Sequence, residues 1–168
     1  MSALHQVNLQ YDRLEDRALL RLSTVARAEF RFWLTRRFVR ALWPALLGAL
    51  EAQGPGPADP SARGAVLSFR HEAALGQGDF ATPYQPDAIE FPLGEAPLLL
   101  GQASLKSGPD GRPILCLLPA GGRGIEVALG PVLLHSLCQL LRDVAEKADW
   151  DLGLAVAPAP RPPSASRH

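Results

Sequence analysis

Six residues in the first third of the chain have the types and spacing to bind an anion or a nucleic-acid strand. Arg21, Arg31 and Trp33 fall at alternating positions of two short apolar segments, so that paired strands would project all three to one face. Arg36, Arg37 and Arg40 follow within one helical stretch. Guanidinium groups neutralise phosphates and an indole stacks on an unpaired base, which is the equipment of a single-strand binder. Arg36 and Arg37 also open a helix, where positive charge opposes the dipole unless an acid or a bound anion offsets it. Glu29, Glu90 and Glu95 are the acids placed to do so. Trp43 offers a different chemistry. It stands beside Pro44 at the edge of an apolar stripe, and an aromatic exposed at a bend would suit a protein partner or a second copy of the chain.

Catalytic and metal-binding patterns are missing from the sequence. There is no Gly-x-Ser-x-Gly elbow and no Gly-x-x-x-x-Gly-Lys phosphate loop. Gly121-Gly122-Arg123-Gly124 joins two strands instead of opening a helix, and reads as a hairpin loop. His5, His71, His135 and His168 are scattered, and with Cys116 and Cys138 they give no zinc spacing. His135 reads as a boundary position of its helix, and both cysteines as small buried thiols. The expectation is a non-enzymatic protein without metal or cofactor.

Bulk properties narrow the partners. The 168 residues carry 17 Lys or Arg and 17 Asp or Glu, so no overall field steers the molecule to nucleic acid or an anionic surface. The charge is uneven, however: residues 1–51 hold eight Arg against five acids, and residues 52–96 hold two Arg against six acids. Lys106 and Lys147 are the only lysines. That bias, with abundant Ala, Leu, Gly and Pro, fits a GC-rich bacterial genome and lowers the weight of Arg as a functional sign. No apolar run approaches the length of a membrane span and no leader is evident, so a soluble cytoplasmic protein without membrane contact is expected.

The elements that must position these residues read as an α+β fold. Strands are expected at 6–11, 18–24 and 29–34, close enough together for an antiparallel meander. Thr35 caps a helix over 36–52, amphipathic through Phe38, Val39, Leu42, Leu46 and Ala49, with Pro44 bending it or splitting it in two. The insert 53–96 begins with a Gly/Pro linker and a helix over 63–75 capped by Asp59 or Ser61. It continues as an extended excursion pinned by Phe80, Tyr84, Ile89, Phe91 and Leu93, a lid, a binding arm or an unrecognised strand. Strands follow at 98–106, 113–118 and 125–129, the first two joined by an Asp110-Gly111 turn. Pro131 opens a helix to about 148, and residues 155–168 form a disordered tail beyond the domain, 1–154.

The two helical segments align without a gap at an offset of about 95 positions, Leu42 meeting Leu137 and Leu46 meeting Leu141. The chain therefore reads as two β-β-β-α pseudo-repeats, 6–52 and 97–149, each an antiparallel sheet followed by one amphipathic helix. This order of elements resembles the PUR-domain and Whirly group of single-stranded nucleic-acid-binding proteins, with three strands per repeat where those families have four. The resemblance implies a twisted sheet whose outer face holds an unstacked strand. The segment EDRALLRLSTVARAEFRFWLTRR also resembles proteobacterial proteins, which implies no function. The sequence thus leads to a binding or adaptor protein that associates with itself or another protein, with single-stranded nucleic acid as the alternative ligand. Free edges of two three-stranded sheets would favour self-pairing.

Overall fold

The computed structural model describes residues 3–53, 56 and 59–157, apart from the side chains of Pro60 and Ser61. Most of the Gly/Pro linker and the tail beyond residue 157 lie outside the described residues. Strands β1 (Leu4–Asp12), β2 (Arg17–Thr24) and β3 (Glu29–Leu34) lead into α1 (Arg36–Glu51); α2 (Pro60–Gln77) follows, then β4 (Leu98–Ser107), β5 (Pro113–Pro119), β6 (Ile125–Ala128) and α3 (Pro131–Lys147). The expected strand triplets are present, each antiparallel within itself. They are not two separate sheets. A short parallel pairing, Phe32 with Leu98 and Trp33 with Leu99, joins them into one mixed sheet in the order β1-β2-β3-β4-β5-β6.

Alternation builds the core. Leu9 of β1, Ala18, Leu20 and Leu22 of β2, and Phe30, Phe32 and Leu34 of β3 are buried on one face. Leu115 and Leu117 of β5 and Val127 of β6 continue it. Two helices cover this face. α1 packs across β4, α3 packs across β1, and the two helices touch one another. Their stripes, Phe38, Val39, Leu42, Leu46 and Leu50 on α1 and Leu134, Leu137, Leu141 and Val144 on α3, recur at helical spacing. Thr35 caps α1, its Oγ1 accepting from the Phe38 amide at 3.2 Å. α1 runs through Pro44 as one helix, not two.

The two meanders share fine register. Leu9 faces Leu20, which faces Phe32; Leu105 faces Leu115, which faces Val127. The first hairpin is irregular between Leu4 and Gln6, opposite Thr24 and Ser23. The second is irregular between Leu100 and Gln102, opposite Pro119 and Leu118. Gly101 is the extra residue of that second bulge, and a Cβ there would lie 3.2 Å from the Ala120 Cα.

The insert resolves into two parts. α2 is longer than expected and docks on α3 through Leu67, His71 and Ala74, which share one face. Residues 78–97 form a strap with no strand of its own, whose one ladder pairing is an isolated parallel bridge between Ala28 and Glu90. Tyr84, Phe91 and Leu93 pin the strap as expected. Phe80 and Ile89 do not: their side chains are 47% and 65% exposed.

Candidate functional site

The Arg/Trp face forms as the alternation requires, but the strap covers it. Register places Arg21 opposite Arg31 and Leu19 opposite Trp33, on the side of the sheet away from the core. Gln6 and Asn8 of β1 share that side. The strap leaves α2, passes tightly against Ser136 of α3 at Gly78, and crosses β1 at Gln6. There the Gln6 amide holds its backbone, accepting from the Gln85 N–H at 3.0 Å and donating to the Pro83 carbonyl at 3.5 Å. It then crosses β2 and β3. The Arg21 guanidinium donates twice to Asn8 Oδ1, at 3.2 and 3.0 Å, and stacks 4.3 Å from the Tyr84 ring centre.

Glu29 is the anchor beneath the strap. Its side chain is 1% exposed and sits between Arg31 Nε at 2.5 Å and the Tyr84 hydroxyl at 2.7 Å. Burial, and then the Glu29 contact, raise the Tyr84 pKa, so the phenol stays a donor to this carboxylate. Arg31 also donates to the Glu95 carbonyl at 3.0 Å and lies 4.7 Å from the Phe91 ring centre. Glu29, one of the three acids expected to pair with Arg36 or Arg37, therefore serves Arg31. Arg36 instead donates to the Trp150 carbonyl at 2.6 Å. Arg37 and Arg40 are exposed on α1, and Trp33 is half-buried between Leu19 and Leu99 of the neighbouring strands. The six residues thus do not share one open surface. Trp43 is buried in the core at 6% exposure and offers no exposed anchor, because the helix turns it onto the same face as Leu42 and Leu46.

The corresponding side of the second meander is open among the described residues. A groove of about 670 Å³ runs between α1 and the edge of β4 onto the outer faces of β5 and β6. Phe38, Ala41, Leu42 and Ala45 form its helical wall, and Gly101, Ala103, Cys116, Leu118 and Gly124 contribute small or apolar surface. Leu118 is 43% exposed and Leu99, close by on β4, is 38% exposed. Lys106 and Glu126 pair at 2.5 Å on this side of the sheet. Cys116, expected to be buried, is half-exposed here with its Sγ 3.8 Å from Glu126 Oε1. Cys138 is buried among α3 contacts, and burial pushes its thiol up to about 12. No signal in the sequence marked this groove, since its lining is mostly Ala, Gly and Leu from four separated segments.

A buried histidine pair joins α2 to α3. His71 and His135 are 5% and 2% exposed, and their Nδ1 atoms lie 2.9 Å apart. Gln139 Oε1 is 3.3 Å from His71 Nε2, and Gln53 Oε1 is 3.1 Å from His135 Nε2. Gln139 is itself oriented by Asp143 at 2.8 Å and Arg142 at 3.4 Å. His135 is a core position, not a boundary one. Burial, with the neighbouring His71, lowers it to about 4, and burial also lowers His71. Among the described residues no group of three or more His, Cys, Asp or Glu could hold a metal ion. No described helix is long and apolar enough to cross a membrane. No protein-family model, curated protein or solved structure matches the chain.

Proposed function

We propose that the protein is a non-enzymatic binding module that recognises another protein through the groove between α1 and β4–β6. One observation carries this reading: the strap covers the outer face of the first meander, and among the described residues nothing covers the apolar groove of the second. An uncovered apolar groove is the usual mark of a protein or ligand contact. A photo-reactive phenylalanine derivative placed at Leu118, inside the groove, tests it in cells that make the protein. A discrete protein adduct is expected from Leu118 and none from a control at Leu14 in the β1–β2 turn. Equal labelling at both positions, or no adduct, would overturn the assignment.

Self-association is a second reading. Among the described residues β6 pairs only with β5, and a free strand edge is a template for another chain. An adduct of twice the chain mass in the same experiment would assign the groove or its rim to a second copy. The nucleic-acid alternative, with its likeness to PUR and Whirly proteins, rests on Arg36, Arg37 and Arg40, the exposed members of the six, of which Arg36 is already engaged with the Trp150 carbonyl. It requires that charge removal at those three positions abolish salt-dependent oligonucleotide binding.

A further inference from the structure

We infer that the occupant of this groove is an extended polypeptide segment, clamped through its backbone by Gln102 as the strap is clamped by Gln6. The inference deepens the protein-binding reading and rests on it. Its basis is the equivalence of the two meanders, residue by residue. The matching bulges place Gln102 of β4 where Gln6 stands in β1, opposite Leu118 and Ser23 respectively. The same matching sets Cys116 at the place of Arg21, Gly124 at that of Glu29 and Glu126 at that of Arg31. On the helical side, the α3 wall beside the strap, Leu133, Ser136, Leu137 and Leu140, corresponds to Phe38, Ala41, Leu42 and Ala45 of α1.

The strap therefore follows, in the first half, the path that the groove leaves open in the second. It lies between α3 and β1, rounds the β1 edge, and crosses the outer face to β3. Gln6 holds it by a donor and an acceptor on one amide, the pattern that an extended backbone two residues long satisfies. Gln102 presents the same amide at the same bulge; it is exposed and has no hydrogen-bond partner among the described residues. A backbone clamp of this kind recognises an extended chain and not a folded helix.

The two paths differ in chemistry, and the difference states what the open one accepts. The covered path has Arg21, Ser23, Glu29 and Arg31, and the strap answers with the Tyr84 hydroxyl. The open path has Cys116, Leu118, Gly124 and Glu126, the last paired with Lys106, with Ala41 and Ala45 on the helix and Gly101 in the bulge. Loss of both arginines, of the Glu29 counterpart and of side-chain volume makes room for an aromatic or branched apolar side chain where the strap carries a phenol. The predicted ligand is an extended segment with such a residue near the point where Gln102 grips its backbone.

Selection of random twelve-residue displayed peptides against the full chain tests this. Enriched peptides should carry an aromatic or branched apolar residue. When synthesised and followed by fluorescence polarisation, they should bind the Gln102→Ala variant about tenfold more weakly, the scale of a hydrogen-bonded amide clamp. Ala41→Trp, which fills the groove from an exposed position, should abolish binding, and Leu118→Asp, also exposed, should do the same. Circular dichroism melts matching wild type establish that the variants fold. No enrichment, or winners that bind Gln102→Ala and Ala41→Trp as they bind wild type, would overturn the inference. A positive Leu118 adduct without any peptide binder would show that the partner docks as a folded surface, leaving the protein-binding reading intact and this inference refuted.

Discussion

Acidification should release α2 from α3 before the rest of the fold is affected. The two Nδ1 atoms of His71 and His135 face one another at 2.9 Å, so one must accept while the other donates. Arg142 and Asp143 orient Gln139 so that its carbonyl receives His71 Nε2–H, which leaves His71 Nδ1 as the acceptor and His135 Nδ1–H as the donor. A second proton at that contact would oppose two donors. The other groups acting on His71 are Arg142, which disfavours its charge, and Glu72, which favours it; His135 Nε2, left as an acceptor, faces the Gln53 side-chain amide, whose oxygen lies at 3.1 Å and which must turn its NH2 inward to donate.

The sign follows from burial. The folded state holds His135 down to about 4. Undocked, the ring returns to the ordinary histidine value of about 6.5, so the undocked state binds more protons between those limits. Docking is then at full strength above about pH 6.5 and is lost as pH falls toward 4. From pH 6.5, where the undocked ring is half protonated, to pH 5, where it is almost fully so, His135 alone weakens docking about 15-fold, roughly 1.6 kcal/mol, with His71 adding in the same direction. At 2% exposure His135 has little solvent to screen the effect. Among the described side chains of α2, Leu67 and Ala74 are the ones buried beside the histidine.

Hydrogen exchange resolved along the chain is the assay, with rates corrected for intrinsic pH dependence. Protection over α2 should fall at least about 15-fold between pH 6.5 and pH 5, the equivalent of roughly 1.6 kcal/mol, while β2 and β3 stay protected. The His71→Leu/His135→Leu double variant should show no such selective loss. Equal α2 protection at both pH values, or the same fall in the double variant, would refute the reasoning.

Two further outcomes test the strap and the helix start. Tyr84→Phe removes a donor from the buried Glu29 carboxylate and should cost about 2 kcal/mol by chemical denaturation, the range for a hydrogen bond to a charged group. Protection should also be lost along the strap; a change under 0.5 kcal/mol would mean that Glu29 does not hold it. Thr35→Ala removes the cap on the Phe38 amide and should cost about 1 kcal/mol, read as a lowered denaturation midpoint with an unchanged slope. A cost outside the range of caps would place the stability of that junction elsewhere.

Local physics alone determined most of the elements. Alternation in Ala18–Thr24 and Glu29–Leu34, helical spacing from Phe38 to Leu50, Thr35 before Arg36 and Pro131 after Gly130 each constrain nearby backbone, and each acts within a few residues. The shared outward direction of Arg21, Arg31 and Trp33 was legible for the same reason, because side-chain period in a strand is strictly two. What lies on top of those residues was not legible. Glu29 reads as one acid among several until tertiary structure buries it under Tyr84, 55 positions away. Trp43 reads as an edge residue because spacing locates a helical face only approximately, while packing decides how wide the buried stripe becomes. The parallel join of β3 to β4 rests on two residue pairs separated by the whole insert. The groove depends on an absence of side-chain volume in four distant segments, and the histidine pair on helices whose sequences carry no mark of each other. Local order was written in neighbouring residues; which surface is covered and which stays open was decided only when distant segments met.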